Sequence, residues 1–220
     1  MSMGIKVLVE GRRACFTRPE MKVERVSYDV MTPSAARGIL EAICWKPAIR
    51  WVVDKIHVLN EPRFETVRRN EVGAVASART AMTAMKAGST EGLGLMVEQE
   101  RQQRAATLLK DVAYVVEAHF EMTNRAGPDD NPGKFADMAR RRIERGQCFH
   151  RPYLGCREFA CDFGPIEGAT PTSRNAGTRD LGWMLYDMDW RSGNAEPLFF
   201  RPQMVDGVID VKAQRPEGAA

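Results

Sequence analysis

The chain has 220 residues, of which 44% are hydrophobic and 28% charged, as expected for a folded globular protein rather than a disordered one. No apolar run approaches the roughly 18 residues that a membrane-spanning helix needs, so neither a membrane protein nor a membrane partner is expected. The first residues contain no apolar segment of the secretory type, and five cysteines without paired spacing favour reduced thiols in the cytoplasm.

The net charge of +3 conceals a strong preference for arginine, which provides 24 of the 32 basic residues. Arginine grips a phosphate through two parallel hydrogen bonds, whereas lysine offers a point charge. Residues 1–157 carry 26 basic and 19 acidic side chains, but residues 158–220 carry only 6 basic and 10 acidic ones. A basic body with an acidic tail is a modest indication of a nucleic-acid partner.

The first predicted element is a strand over residues 5–9, where apolar and polar residues alternate. Thr32 is a candidate N-cap, and the proline after it suits a first helical position, so a helix is predicted from there to about Trp45. Residues 49–59 are rich in β-branched side chains and predict a second strand. The alternation in this strand changes phase near Lys55, which indicates a bulge.

An insertion of about residues 62–108 interrupts this order and has no clear periodicity. Both of its flanks carry arginine, and its middle is rich in Ala, Thr, Met and Gly. These features predict a protruding basic β-hairpin with a flexible tip.

The next predicted strand covers residues 112–122, and a helix with apolar residues over 135–143 follows and ends at Gly146. Residues 147–163 contain another predicted strand. The order predicts an α+β fold with a ferredoxin-like (split βαβ) core over residues 1–163, including the insertion. Residues 164–220 are predicted to form a small β-rich C-terminal extension, and the tryptophans and methionines are expected to fill the core.

Basic residues cluster at four places: after the first strand, after the first helix, on the insertion, and on or just after the second helix. A solvated face explains any single one of them equally well, but several groups with few acids between them favour phosphate binding. The predicted nucleic-acid ligands are Arg12, Arg13, Arg18, Lys22, Arg25, Lys46, Arg68, Arg69, Arg140, Arg141 and Arg151.

Three stretches, residues 27–51, 108–120 and 131–159, resemble the type I-C CRISPR-associated endoribonuclease of the RAMP superfamily. The resemblance covers most of residues 1–163 in the same order and spacing. It implies binding to the stem-loop of the CRISPR repeat and metal-independent cleavage of precursor CRISPR RNA. It also implies that the protein stays on the 5′ handle beside the backbone and large subunits of the type I-C surveillance complex.

Cleavage without metal needs a base for the 2′-hydroxyl, a cation for the phosphate and an acid for the leaving oxygen. The family pattern has a tyrosine in a Tyr-Trp-Lys-Pro motif and a Lys-His pair at the start of the second helix. Here the motif begins with Cys44 and the pair is Lys134-Phe135. The resemblance therefore assigns the phosphate clamp to Lys134, and Cys44 is a candidate for proton transfer.

Two histidines are further candidates for the proton transfers. His150 is favoured because it lies next to Arg151 and near the arginine-rich helix, whereas His119 lies between two glutamates on a strand, where a structural ion pair is the simpler interpretation. No metal site is predicted, because Cys148, His150, Cys156 and Cys161 lack the paired spacing of zinc ligands. No cofactor is predicted.

The alternative to an enzyme is a structural subunit that caps the 5′ handle with weak or no catalysis. The feature that separates the two hypotheses is the pair of altered positions, Cys44 and Phe135. A third hypothesis, non-specific binding to duplex DNA, follows from the same arginines.

Overall fold

The computed structural model describes residues 4–216. Of these, residues 4–65 and 107–216 form one compact unit, the main unit, and residues 66–106 form a second, the insertion unit. The elements in chain order are β1 (Ile5–Ala14), α1 (Pro33–Ile43), β2 (Ile49–Val58), β3 (Phe64–Val72), α2 (Ala78–Ala87), β4 (Arg101–Met122), α3 (Pro132–Glu144), β5 (Asp162–Gly164), β6 (Thr178–Asp180), β7 (Met184–Asp189), β8 (Glu196–Phe200), β9 (Gln203–Val205) and β10 (Val208–Asp210).

Both helices of the main unit begin where their capping residues predict. The Thr32 side chain accepts a hydrogen bond from the backbone N–H of Ala35 at the start of α1. The Asn131 side chain does the same for Lys134 at the start of α3. Gly146, with a φ of 63°, follows the last turn of α3, so the predicted helix end is confirmed.

The core of the main unit lies between its sheet and the two helices. Strand β4 pairs antiparallel with β1 on one side and with β2 on the other. Every second residue of β4 from Tyr114 to Phe120 is buried together with apolar residues of α1 and α3, so both helices cover the same face. The predicted bulge in β2 is confirmed, since the register shifts between Val53 and Lys55.

The strand order of the larger sheet is β5-β1-β4-β2-β10-β9-β6. Three short strands from the C-terminal segment thus continue the sheet beyond β2, and Ile209 of β10 lies in the main core. The ribbon of β7 and β8 forms a separate two-stranded sheet. Arg37 of α1 anchors this ribbon through two hydrogen bonds to Asp187, at 2.5 and 2.9 Å.

The insertion unit differs from the predicted hairpin with a flexible tip. Strand β3 does pair with β4, but the middle of the segment forms the ten-residue helix α2. Ser77 caps the start of α2 and Gly88 ends it in the left-handed conformation. The alanines and methionines between them are strong helix formers, and this propensity explains why the segment is ordered.

The tryptophans depart from the predicted core role. Trp51 is buried, but Trp45, Trp183 and Trp190 are 50%, 65% and 67% exposed. Within residues 4–216, no helix combines the length and the apolar character needed to cross a bilayer.

A substitution in β10 tests whether the C-terminal strands are part of the main core. We expect Ile209→Ala to lower the free energy of unfolding by about 2–4 kcal/mol, because the buried side chain would leave a cavity. The matched control is Val205→Ala in the neighbouring β9, whose side chain is 48% exposed and which should cost about 0.5 kcal/mol or less. Urea denaturation measures both values, and equal losses would contradict the observed packing.

Candidate functional site

The candidate site begins where α1 ends. Cys44 caps the helix with an extended backbone, and its N–H still donates to the Leu40 carbonyl at 2.8 Å. Trp51 fixes this turn from β2, since its indole N–H donates to the Cys44 carbonyl at 2.7 Å. The chain then turns outward, so Trp45 is half exposed and Lys46 is exposed, while the Cys44 side chain points inward and is 1% exposed.

The N-terminus of α3 supplies the second part of the site. The Lys134 ammonium is exposed and donates to a carboxylate oxygen of Asp130 at 2.9 Å, one turn earlier in the chain. The hydrogen bond from Lys134 lowers the pKa of Asp130, as do the Gly127 N–H and the charges of Lys134 and Lys46. The two lysines, one from each end of the site, therefore act on the same carboxylate.

A chain of aromatic rings connects the two parts beneath the surface. Phe135 packs edge-on against Phe120 with the ring centres 6.5 Å apart, and Phe120 packs the same way against Trp51 at 5.4 Å. Phe135 is 2% exposed. The two positions that depart from the family pattern, Cys44 and Phe135, are therefore both buried around the same aromatic group.

Cys44 is poorly suited to proton transfer in this environment. Burial raises the pKa of its thiol, and the nearby charges of Arg142 and Lys46 only partly oppose that effect. The thiol is therefore neutral at neutral pH and shielded from solvent. Phe135 has no proton to exchange.

His150 lies beside the same end of α1. The backbone N–H groups of Phe149 and His150 both donate to the Ala42 carbonyl, at 2.8 and 3.4 Å. Arg142 of α3 closes the last turn of α1 by donating to the Ile43 carbonyl at 2.6 Å. Both rings of the Phe149–His150 pair are exposed, so the structure brings an accessible imidazole to the region of the Cys44 turn.

The other two histidines are on the opposite face of the sheet from α3. His119 lies opposite Val52 in the β2–β4 ladder and its ring bonds Asp54 at 2.8 Å. His57 bonds Glu117 at 2.8 Å, and Lys6 pairs with the same glutamate at 2.7 Å. The sheet separates His119 from Lys134, so the structure does not place this candidate in the site.

The predicted nucleic-acid ligands of the main unit fall into two classes. Ion-paired residues include Arg13 with Glu65, Arg18 with Asp29, Arg25 with Glu158, Arg140 with Asp137 and Arg151 with Asp162. Within residues 4–216, the side chains of Arg12, Lys22 and Arg141 are exposed and lie in no ion pair. Arg18 additionally stacks on the Tyr28 ring, 4.5 Å from its centre.

Many of these residues surround the end of β1. Arg12 and Arg13 line an open cavity of about 440 Å³ together with Glu158, Phe159 and Asp162. Arginines and carboxylates alternate there, so the surface is polar and hydrated rather than uniformly positive. In the insertion unit, Arg68 is exposed and Arg69 is half-buried.

Three features of this site have little or no signal in the sequence. Asp130 holds Lys134, and the only sequence signal for it is a carboxylate four residues before a lysine. Arg142 belongs to the arginine-rich helix α3, but its guanidinium bonds the end of α1, which no local pattern indicates. The exposure of Trp45 follows from the turn at Cys44, which no local pattern predicts.

Comparisons with known proteins give a consistent answer. Residues 4–212 match the Cas_Cas5d family, described as CRISPR-associated protein (Cas_Cas5). The chain is 56% identical to the CRISPR pre-crRNA endoribonuclease Cas5d of Mannheimia succiniciproducens over 96% of each chain, and 41% identical to that of Thermus thermophilus over 96% of this chain and 92% of the relative. A crystal structure of a CRISPR-associated protein has a TM-score of 0.71 at 26% identity, covering 97% of this chain and 93% of the other.

The burial of Cys44 predicts how its thiol reacts. In the native protein, iodoacetamide should modify the half-buried Cys148 while Cys44 remains unmodified, and the difference should persist up to about pH 8.5 because burial raises the pKa of Cys44. Peptide mass spectrometry measures the labelling of both residues, with a urea-unfolded sample as the control for equal reactivity. Native labelling of Cys44 at the rate of Cys148 would show that the thiol is accessible after all.

Proposed function

The chain belongs to the Cas5d family of CRISPR-associated proteins, and from this premise we propose that it is a metal-independent endoribonuclease that cleaves precursor CRISPR RNA in antiviral defence. Two relatives that carry the name of this activity match it over nearly their whole length. The observation that carries the proposal is the exposed Lys134 at the N-terminus of α3, whose ammonium bonds the Asp130 carboxylate at 2.9 Å.

The N-terminus of α3 is suited to hold the scissile phosphate. Backbone N–H groups of the first helical turn point outward and favour an anion. The Lys134 ammonium, now bound to Asp130, lies at the same place and would exchange this carboxylate for a phosphate oxygen. Its charge would stabilise the negative charge that builds on the phosphate during attack by the 2′-hydroxyl.

In this proposal His150 carries out the proton transfers. Cys44 is neutral and buried, Phe135 cannot exchange a proton, and His119 faces the other side of the sheet. The exposed imidazole of His150, held at the end of α1 through its backbone, can take a proton from the 2′-hydroxyl or give one to the leaving 5′ oxygen.

A second candidate function, a structural subunit without catalysis, is supported by the burial of Cys44 and Phe135. The two positions where the family pattern has a proton-transferring side chain both lie in the core here, around one aromatic group. This packing favours a structural subunit that caps the 5′ handle of an RNA cut elsewhere. Binding would then persist with little or no cleavage.

The partners of either function are the CRISPR repeat RNA and the neighbouring subunits of a surveillance complex. The exposed basic residues of the main unit support RNA binding to the repeat stem-loop and retention on the 5′ handle. Duplex DNA is a weaker proposal, supported by the same charges. A cytoplasmic site of action is supported by the five cysteines, all of which are free thiols.

We propose a ferredoxin-like plan for the core of the main unit, within residues 4–65 and 107–163, and interpret residues 164–216 as its β-rich extension. Four strands stand in the order β5-β1-β4-β2, helix α1 connects the first two strands of this plan in the chain, and α3 connects the last two. Antiparallel pairing and two helices on one face support the plan.

A cleavage assay under single-turnover conditions in excess EDTA separates the two functions. We expect the native protein to cut its cognate repeat RNA, and Lys134→Ala to cut about 100-fold more slowly because the phosphate loses its cation. His150→Ala should slow cleavage by a similar factor through the lost proton transfer, whereas Cys44→Ala should have little effect. Binding of the RNA is measured in parallel by fluorescence anisotropy.

Lys212→Ala, which removes an exposed lysine after β10, is the matched control and should leave the rate unchanged. Tight binding without cleavage by the native protein would overturn the enzyme and support the structural subunit. Cleavage that depends on Cys44 rather than His150 would overturn the assignment of the proton transfers.

The salt dependence of RNA binding tests the two classes of basic residue. Each of Arg12→Ala, Lys22→Ala and Arg141→Ala should weaken binding and reduce the slope of log K against log salt by about 0.7–1, as for one lost phosphate contact. The control is Arg191→Ala in the turn between β7 and β8, where Asp189 already neutralises the guanidinium. Unchanged slopes in all three variants would contradict this surface, and equal binding to an unrelated DNA duplex would show non-specific binding.

A further inference from the structure

Two cysteines outside the candidate site lie against one another. Cys15 follows β1 and is fully buried, whereas Cys156 lies in the loop after Leu154 and is partly exposed. The backbone holds the two segments together, since the Cys15 N–H donates to the Leu154 carbonyl at 3.0 Å. Gly155 allows this approach because a Cβ at that position would lie 2.0 Å from the Cys15 carbonyl oxygen.

The polar groups around the two sulfur atoms favour a thiolate on Cys156. The Thr17 hydroxyl is 3.5 Å from the Cys15 Sγ and 3.8 Å from the Cys156 Sγ, so it contacts both. An Arg25 guanidinium nitrogen, which also donates to Glu158 at 3.1 Å, is 3.8 Å from the Cys156 Sγ. A neighbouring cation and hydrogen-bond donors are the features that activate a thiol.

The directions in which the pKa values of Cys15 and Cys156 shift agree with these contacts. The pKa of Cys156 lies below its ordinary value, chiefly because its thiolate accepts a hydrogen bond from the Cys15 thiol, with help from Thr17 and Arg25. The pKa of Cys15 is raised by the same hydrogen bond and by burial. One sulfur is therefore a nucleophile and the other keeps its proton.

We propose that Cys15 and Cys156 form a redox-active dithiol, in which a peroxide oxidises the exposed Cys156 and the buried Cys15 then closes a reversible disulfide. The proposal stands on the contacts among Cys15, Thr17, Arg25 and Cys156, and it is independent of the proposed ribonuclease activity.

The chemistry has two balanced steps. The Cys156 thiolate attacks one oxygen of hydrogen peroxide, the O–O bond breaks, and the products are a sulfenic acid and hydroxide. The Cys15 sulfur then attacks the sulfenic sulfur, and its proton leaves with the hydroxyl group as water. The two sulfurs together lose two electrons, which the peroxide gains, and a dithiol reductant reverses the change.

The surroundings favour Cys156 as the nucleophile over the buried cysteines Cys44 and Cys161. Cys44 and Cys161 are buried, and burial raises the pKa of both. Cys156 is partly exposed, so a small oxidant in solvent can reach its sulfur. The disulfide would join segments that are already hydrogen-bonded, so it needs little movement of the backbone.

The test is exposure of the full chain to stoichiometric hydrogen peroxide, followed by mass spectrometry without reduction. Trypsin leaves Cys148 and Cys156 on one peptide, residues 146–157, because it does not cut before Pro152. Mapping is therefore done in the Cys148→Ser variant. We expect the protein to lose two hydrogen atoms and to yield a bridge between peptides 14–22 and 146–157, which dithiothreitol removes.

Cys156→Ser and Cys15→Ser in the same background should each abolish the bridge completely, and circular dichroism checks that both variants are folded. Trapping with dimedone should label Cys156 in the Cys15→Ser protein, because the sulfenic acid then has no partner. A bridge to Cys161, oxidation of Cys156 to the sulfinic acid without a bridge, or a chain that stays fully reduced would each overturn the proposal.

Discussion

Strand β4 is the constraint on which the main unit depends, because β1 and β2 both pair with it and both helices cover its alternate side chains. Tyr114, Val116, Ala118 and Phe120 lie on the helix face, and the residues between them, Val115, Glu117 and His119, lie on the other. A shift of one residue in this strand would exchange the two sets, so the register is strongly fixed. The position of every site residue follows from this alternation.

The aromatic packing at the end of β4 explains why the side chains of Cys44 and Phe135 are buried beneath the candidate site. Phe120 holds Trp51 on one side and Phe135 on the other, and Trp51 fixes the turn at Cys44. An aromatic residue at Phe135 and a small one at Cys44 extend this packing inward. Lys46, Lys134 and His150 are exposed above this buried layer, so these side chains are accessible to a ligand whereas Cys44 and Phe135 are not.

The sequence predicted those parts of the fold that have a local cause. Thr32 and the proline after it define the start of α1, and the change of phase near Lys55 marks the bulge in β2. The strands of three residues in the C-terminal segment were expected only as a β-rich extension, because so short a run has no measurable periodicity. Their place in the sheet depends on pairing between distant residues, which the order of elements does not specify.

The same distinction applies to the candidate site. The sequence alone identifies Lys134 as a candidate, because its motif and the N-cap Asn131 lie within a few residues of it. The face of the sheet on which His119 lies depends instead on the register of β4 with β2. The hydrogen bond from Arg142 to the Ile43 carbonyl likewise depends on where α3 crosses the end of α1. Local motifs therefore identify candidate residues, and only the packing decides which of them share a surface.

The pairing of surface arginines with carboxylates sets how the protein can bind a polyanion. Solvent screens an exposed ion pair strongly, so a phosphate can replace the carboxylates beside Arg13, Arg25 and Arg151 at little cost. The displaced carboxylates still repel the phosphate from nearby, which reduces the gain per contact. The unpaired cations then supply most of the long-range attraction for a polyanion. The paired arginines add binding energy only when the phosphates of the RNA match the positions of their guanidinium groups. An arrangement of this kind favours one folded RNA over nucleic acid in general.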